Sequence, residues 1–97
     1  MARAKVDESE IAARMKELPS WQHVGNRIER PFEATSFRAA QRLLARIADL
    51  AEGSDHHPDV RWSYRTLSIS LTTHDAGGLT GRDFHLARLI EDVLADG

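Results

Sequence analysis

The chain has 97 residues, of which 41% are hydrophobic and 29% charged, and its formal net charge is −2. This length and composition predict a folded chain in which residues 1–97 form one domain. The slightly acidic balance argues against a general nucleic-acid binder, and no apolar run approaches the roughly 20 residues of a membrane span. There are no cysteines and no secretory-type apolar segment near the start, so we expect a cytoplasmic protein without disulfides.

The first predicted element is a helix that begins after Asp7. Glu10 follows Asp7 by three residues, which resembles a capping box. The apolar positions that recur at helical spacing are Ile11, Met15 and Leu18. We expect Pro19 to end this helix, because proline interrupts helical hydrogen bonding.

A β-hairpin is predicted next. Residues 21–24 and 27–34 form two extended segments that flank the turn dipeptide Gly25-Asn26. Pro31 lacks a backbone N–H, so its place in the second arm predicts a sheet edge or a bulge there.

The longest predicted helix begins after Ser36, a favourable N-cap residue. Its predicted apolar stripe consists of Phe37, Ala40, Leu44, Ile47 and Ala51. Gly53 is the expected end of this helix.

The apolar period then changes from 3.6 to 2, which predicts two strands. Their alternating apolar positions are Val60, Trp62 and Tyr64, followed by Leu67, Ile69, Leu71 and Thr73. A last helix is predicted after Thr80, with Asp83 three residues later as its capping partner. The apolar face of that helix is formed by Phe84, Leu86, Ala87, Ile90, Val93 and Leu94.

The predicted order is therefore helix, two strands, helix, two strands, helix. Strands that follow one another closely pair as antiparallel hairpins, and amphipathic helices cover one face of such a sheet. We predict an α+β two-layer sandwich with a four-stranded antiparallel sheet and three helices on one face.

Three histidines form the most unusual feature of the sequence. His56 and His57 stand between the long helix and the third strand, and His74 follows the fourth strand. If those strands pair, the three imidazoles can meet at one end of the sheet. Neighbouring side chains of an extended segment point in opposite directions, so we expect one of His56 and His57 to face a cleft and the other its rim.

The residues alone leave three explanations open. The histidines can bind a metal, act as acid and base, or simply belong to a polar loop. Metal binding is disfavoured because the usual short chelate spacings are absent. Acid/base chemistry suits imidazole, which titrates near neutrality. His23 and His85 have no motif around them, and we interpret them as ordinary surface or structural residues.

The spacing of these residues resembles the signature of the pterin-4a-carbinolamine dehydratase family. In the family pattern, three residues separate Glu52 from His56-His57-Pro58, and five residues separate Pro58 from Tyr64. Nine residues then lie between Tyr64 and His74, and eight between His74 and Asp83. The stretch SLTTHDAGGLTGRDFHLA is also similar to the family's strand, loop and last helix. Trp21 has a family counterpart as well. The two early strands resemble the family least.

The resemblance implies the dehydration of a 4a-hydroxytetrahydropterin to the quinonoid dihydropterin, without a metal or an organic cofactor. It implies active-site roles for His56, His57 and His74. We interpret His56 and His74 as the acid/base pair and His57 as the residue that orients the pterin. Further candidates for substrate binding or for orienting the imidazoles are Trp21, Asp55, Thr73, Asp75 and Asp83. Glu52 is a candidate for orienting an imidazole only.

The resemblance also implies partners. Relatives commonly form dimers or tetramers, and the reaction recycles the cofactor of aromatic amino-acid hydroxylases, so we expect a homo-oligomer and a functional link to such a hydroxylase. We expect no nucleic-acid partner and no membrane association. The alternative function is a non-catalytic dimerisation, scaffold or transcription-cofactor module on the same fold.

Overall fold

The architecture is an α+β sandwich, seen in a computed structural model that describes residues 4–97. The helices are α1 (Glu8–Met15), α2 (Phe37–Ser54) and α3 (Gly81–Ala95). The strands are β1 (Gln22–Val24), β2 (Arg27–Glu33), β3 (Asp59–Ser63) and β4 (Thr66–Leu71), and a 3-10 turn covers His74–Ala76. The predicted fold class and element order are confirmed.

The four strands form one antiparallel sheet in the order β1-β2-β4-β3. β1 pairs only with the first three residues of β2, whereas β4 pairs with β2 from Ile28 to Glu33. Pro31 lies opposite Ser68 of β4, and its other side lies beyond the end of β1. The edge predicted from Pro31 is therefore present, and the missing N–H breaks no pairing with β1.

The core lies between the sheet and the helices. Leu67, Ile69 and Leu71 alternate along β4 and are almost completely buried, while Ser68 between them is exposed. The predicted apolar face of α3 is buried in full: Phe84, Leu86, Ala87, Ile90, Val93 and Leu94. One side of the sheet is thus dry and the opposite side is open, as the period-2 pattern predicts.

The first helix is shorter than predicted. Asp7 caps it by accepting a hydrogen bond from the Glu10 backbone N–H at 2.9 Å. The Glu10 side chain pairs with Arg14. The helix ends at Met15, so Pro19 does not end it, and Leu18 packs in the core from the turn that follows.

The buried face of α2 differs from the predicted stripe. Ser36 caps the helix as expected, with its hydroxyl accepting from the Ala39 N–H at 3.0 Å. The buried residues are Ala40, Leu43, Ile47 and Ala51. Phe37 is 50% exposed and stacks on Trp62, with ring centroids 4.7 Å apart. Phe37 is the first residue of the helix, and its ring contacts an aromatic of the edge strand β3.

Tyr64 does not continue the alternation of β3. It lies in the two-residue turn between Ser63 and Thr66, is 68% exposed, and has a φ of 52°. The Trp62 indole N–H donates to the Tyr64 carbonyl at 2.6 Å. The chain therefore turns back one residue earlier than the apolar pattern suggests.

Candidate functional site

The C-terminus of α2 sets the direction of the first two histidines. Asp55 has a left-handed conformation, with φ 50° and ψ 43°. Its N–H bonds to the Glu52 carbonyl at 3.3 Å, and the His56 N–H bonds to the Ala51 carbonyl at 3.1 Å. These two bonds form a Schellman motif, in which glycine is the usual left-handed residue. Gly53 lies inside the helix, so its predicted role as the helix end belongs to Asp55 instead.

His56 and His57 differ sharply in burial, as expected for neighbouring side chains of an extended segment. His56 is only 8% exposed. The His57 side chain is 57% exposed, and its Nε2 lies 2.7 Å from Glu52 Oε2. Pro58 follows them and disfavours a helical conformation at His57. One imidazole is thus packed against the protein, and the other stands at the surface beside a carboxylate.

His56 is held by a buried carboxylate of α3. Its Nε2 lies 2.5 Å from Oδ1 of Asp83, which is completely buried. Oδ2 of Asp83 accepts from the Thr73 hydroxyl at 2.8 Å and from the Thr80 backbone N–H at 2.9 Å. The Thr73 and Thr80 hydroxyls are themselves 2.9 Å apart. The carboxylate is therefore hydrogen-bonded to the imidazole, to Thr73 after β4 and to Thr80, the N-cap of α3.

This network assigns a role to each nitrogen of His56. An ionised carboxylate can only accept hydrogen bonds, so Nε2 carries the hydrogen in its contact with Asp83. Nδ1 is then the nitrogen that can exchange a proton with a bound molecule. The same Asp83 side chain forms the capping box of α3 with Thr80. One carboxylate thus caps α3, as predicted, and also contacts His56.

His74 reaches the site from the 3-10 turn that follows β4. Thr73 forms a bridge with Gly78, and Gly77 closes the turn with a φ of 75°, a conformation that glycine adopts without strain. Thr73 is buried while His74 is exposed. The turn therefore anchors one residue in the network of Asp83 and presents the next one to solvent.

The three histidines line one open hollow of about 400 Å³. The residues that line it are Asp55, His56, His57, Thr72, Thr73, His74, Asp75 and Arg82. Six of these are predicted site residues, and Asp83 lies directly behind His56. Sequence reasoning missed Arg82, Thr72 and Thr80. A cation in the first turn of a helix, where anions are favoured, is the signal that could have identified Arg82.

Trp21 lies elsewhere. It is only 4% exposed, and its indole N–H donates to Glu91 of α3 at 2.7 Å. Arg30 of β2 binds the same carboxylate oxygen at 2.6 Å. Trp21 does not line the hollow, so the substrate-binding role predicted for it is not supported, and the ring acts as a core residue.

A larger hollow of about 580 Å³ lies on the open face of the sheet. Its polar lining comes from the strands and includes Arg27, Glu29, Asp59 and Arg61. No histidine lines it. Proton-transfer chemistry therefore favours the smaller hollow, in which imidazoles and a buried carboxylate come together.

Within residues 4–97, no group of three or more histidine or acidic side chains has an arrangement that could hold a metal ion. The same part of the chain contains no helix that is both long and apolar enough to cross a membrane.

Comparison with known proteins gives consistent results along almost the whole chain. Residues 4–93 match the model of the family described as pterin 4 alpha carbinolamine dehydratase. One relative is a Nocardia farcinica protein with the provisional name pterin-4-alpha-carbinolamine dehydratase. It is 43% identical over 93 residues, which are 96% of this chain and 98% of that protein. A Roseiflexus castenholzii protein with the same provisional name is 42% identical over 91 residues, covering 94% and 98% of the two chains.

Solved structures extend the comparison to the fold. The crystal structure of a transcriptional coactivator/pterin dehydratase from Brucella melitensis aligns with a TM-score of 0.90 and 32% identity, covering 93% of this chain and 98% of that one. A pterin dehydratase-like protein identified as a RuBisCO assembly factor in the α-carboxysome shares the fold, with a TM-score of 0.67, 19% identity and coverage of 77% and 89%. From the match to the family model and the identity to these relatives, the chain belongs to the pterin-4a-carbinolamine dehydratase family.

Proposed function

We propose that this protein dehydrates a 4a-hydroxytetrahydropterin to the quinonoid dihydropterin in the hollow lined by His56, His57 and His74. The observation that carries the proposal is the convergence of the three imidazoles, one of them bonded to a buried carboxylate. Family membership and the names of the relatives supply the substrate class.

The reaction needs two proton transfers. The C4a–O bond breaks with its electron pair, and the departing hydroxide takes a proton from an acid to leave as water. A ring-nitrogen lone pair forms the new double bond to C4a, and the resulting iminium loses a proton to a base. Imidazole can perform either transfer at neutral pH.

We assign these transfers to His56 and His74. Asp83 holds Nε2 of His56, so Nδ1 exchanges the proton. His74 lines the same hollow and is exposed at the start of its turn. His57, paired with Glu52 at the rim, orients the pterin. The aromatic amino-acid hydroxylase reaction is the expected source of the substrate.

The test is an absorbance assay with a 4a-hydroxytetrahydropterin generated in situ, from which the uncatalysed rate is subtracted. His56→Ala and His74→Ala should each lower kcat by roughly 10- to 10⁴-fold, the range that covers typical acid/base groups. His57→Ala should raise KM more than it lowers kcat. His23→Ala and His85→Ala are the matched controls, because both residues lie outside the hollow.

A second candidate function is a non-catalytic interaction module. It is favoured by the Brucella structure, whose description includes a transcriptional coactivator. The two candidates give different results in the same assay. Folded His56→Ala and His74→Ala variants with wild-type kinetics would refute the acid/base assignment, and a wild-type protein without activity would favour the interaction module.

A further inference from the structure

Arg82 is a part of the hollow to which no role has been assigned. It lies in the first turn of α3, is half-buried, and lines the hollow with the three histidines. Its Nη2 donates to the backbone carbonyl of Ser54 at 3.4 Å and makes a close hydrogen bond to the carbonyl of Asp55. The guanidinium thus joins the beginning of α3 to the end of α2.

The charge of Arg82 is unfavourable for its own helix and favourable for the neighbouring one. The N-terminus of a helix carries partial positive charge and the C-terminus partial negative charge. Arg82 is near the positive end of α3, and α2 has no basic residue in its last turn. The guanidinium therefore supplies to the end of α2 the cation that α2 itself lacks, and it donates to carbonyls that the helix leaves unpaired.

The residue held in this way is the one that directs the histidines. Asp55 is a non-glycine residue in the left-handed region, where a side chain is disfavoured. The directions of His56 and His57 follow from its conformation. We propose that Arg82 is a positioning residue that holds the Asp55 carbonyl, and thereby keeps His56 directed towards Asp83 and His57 towards the rim.

Two substitutions separate this role from others. Arg82→Met keeps the aliphatic stem and removes the donors, whereas Arg82→Lys keeps a cation that can donate to a carbonyl. Arg88→Met is the control, because Arg88 lies on the same helix and pairs at the surface with Glu17. The readouts are amide hydrogen exchange at Asp55 and His56, and the kinetics of dehydration.

In Arg82→Met we expect the His56 amide, which bonds to the Ala51 carbonyl, to exchange at least 10-fold faster than in the wild type. We expect kcat to fall about 10-fold, since small misplacements of catalytic groups have effects of this order or larger. Arg82→Lys should restore most of the protection of the His56 amide and most of kcat, and Arg88→Met should change neither quantity.

The kinetic part of this proposal rests on the proposed function, but the exchange part does not. A wild-type protein without dehydratase activity refutes the function and leaves the exchange experiment to decide on Arg82. Unchanged exchange at His56 in Arg82→Met overturns the proposal, and a raised KM in that case assigns Arg82 to direct substrate contact. If Arg82→Met does not fold, hydrogen exchange of the guanidinium groups is measured in the wild-type protein instead. The guanidinium protons of Arg82 should exchange more slowly than those of Arg88. Equal exchange rates overturn the proposal.

Discussion

In the proposed mechanism, Asp83 combines a structural and a chemical task in one side chain. One oxygen contacts His56, and the other accepts from Thr73 and from the Thr80 N–H that begins α3. A change at this residue therefore affects both the orientation of the imidazole and the beginning of the helix. An amide in its place tests the two tasks separately, because it retains one oxygen acceptor and adds an N–H donor.

Asp83→Asn is predicted to lower kcat by roughly 10²- to 10³-fold, within the range for acid/base groups. With the amide oxygen accepting from Thr73 and Thr80, its NH₂ faces Nε2 of His56, and that nitrogen must then accept instead of donate. The proton-exchanging Nδ1 becomes a donor only, as the opposite tautomer requires. Steady-state kinetics of the folded variant measures this effect.

Asp92→Asn is the control for that prediction, because Asp92 is exposed on the same helix. Loss of a good hydrogen bond to a buried charged group should also lower the free energy of unfolding of Asp83→Asn by about 1–3 kcal/mol. Wild-type kcat in a folded Asp83→Asn protein would show that the carboxylate serves only as a helix cap.

At the scale of elements, the turn between β3 and β4 carries strain that substitution can remove. Tyr64 has a φ of 52° and is mostly exposed, so its ring contributes little packing. Tyr64→Gly should raise the free energy of unfolding by about 0.5–1 kcal/mol, because glycine adopts positive φ without the steric cost. The midpoint of urea unfolding measures this change.

Tyr64→Ala separates conformation from loss of the ring. Alanine removes the same aromatic group but keeps a Cβ, so no gain is expected. A gain of equal size in both variants would show that the exposed ring, and not the backbone conformation, is unfavourable.

The cap of α1 gives a prediction about pH. Hydrogen bonds from the Glu10 backbone N–H and the Ser9 hydroxyl lower the pKa of Asp7 below its ordinary value. A lowered pKa in the folded state means that the charged carboxylate stabilises the helix above the ordinary pKa, and that this contribution is lost as the pH falls through the lowered pKa. Amide exchange at Glu10 should therefore accelerate below about pH 4 beyond the intrinsic trend.

Asp7→Asn is the control, since asparagine is also a good N-cap residue and does not titrate in this range. In this variant the extra acceleration should disappear. A pH dependence that persists would assign the effect to another group.

The limits of sequence-based prediction are clear in α2. The predicted stripe and the buried face share Ala40, Ile47 and Ala51, and they differ at Phe37, Leu43 and Leu44. Both choices satisfy a helical period, and only the rotation of the helix against the sheet decides between them. That rotation depends on packing with β4 and α3, which a local pattern does not contain. The pairing of strands and the face of α3 were predictable because their periods are unambiguous.

In the site, too, some features were predictable from the sequence and others depend on packing. The meeting of His56, His57 and His74 follows from the pairing of β3 with β4 and was predictable from spacing. The contact of His56 with Asp83 joins residues 27 positions apart and depends on how α3 docks. Asp55 occupies the position that glycine usually has in a Schellman motif. The preference for glycine at helix ends therefore pointed to Gly53 instead.

For the whole molecule, we predict a homodimer or homotetramer. The outer strands of the sheet, β1 and β3, have no partner on their open sides within residues 4–97. Exposed apolar side chains lie at both edges: Val24 on β1, Phe37 against Trp62 of β3, and Tyr64 in the turn after β3. Open strand edges favour pairing with another copy, and a chain of 97 residues has a small core of its own.

Light scattering should give a mass of two or four times 10.9 kDa at micromolar concentration. Amide exchange then identifies the edge. Since a two-residue turn joins Ser63 to Thr66, the N–H groups of Val60 and Trp62 point away from β4. Pairing through β3 protects them from exchange, whereas pairing through β1 leaves them fast. A mass of only about 11 kDa would contradict the prediction, and the hollow would then have to bind and dehydrate a pterin within one chain.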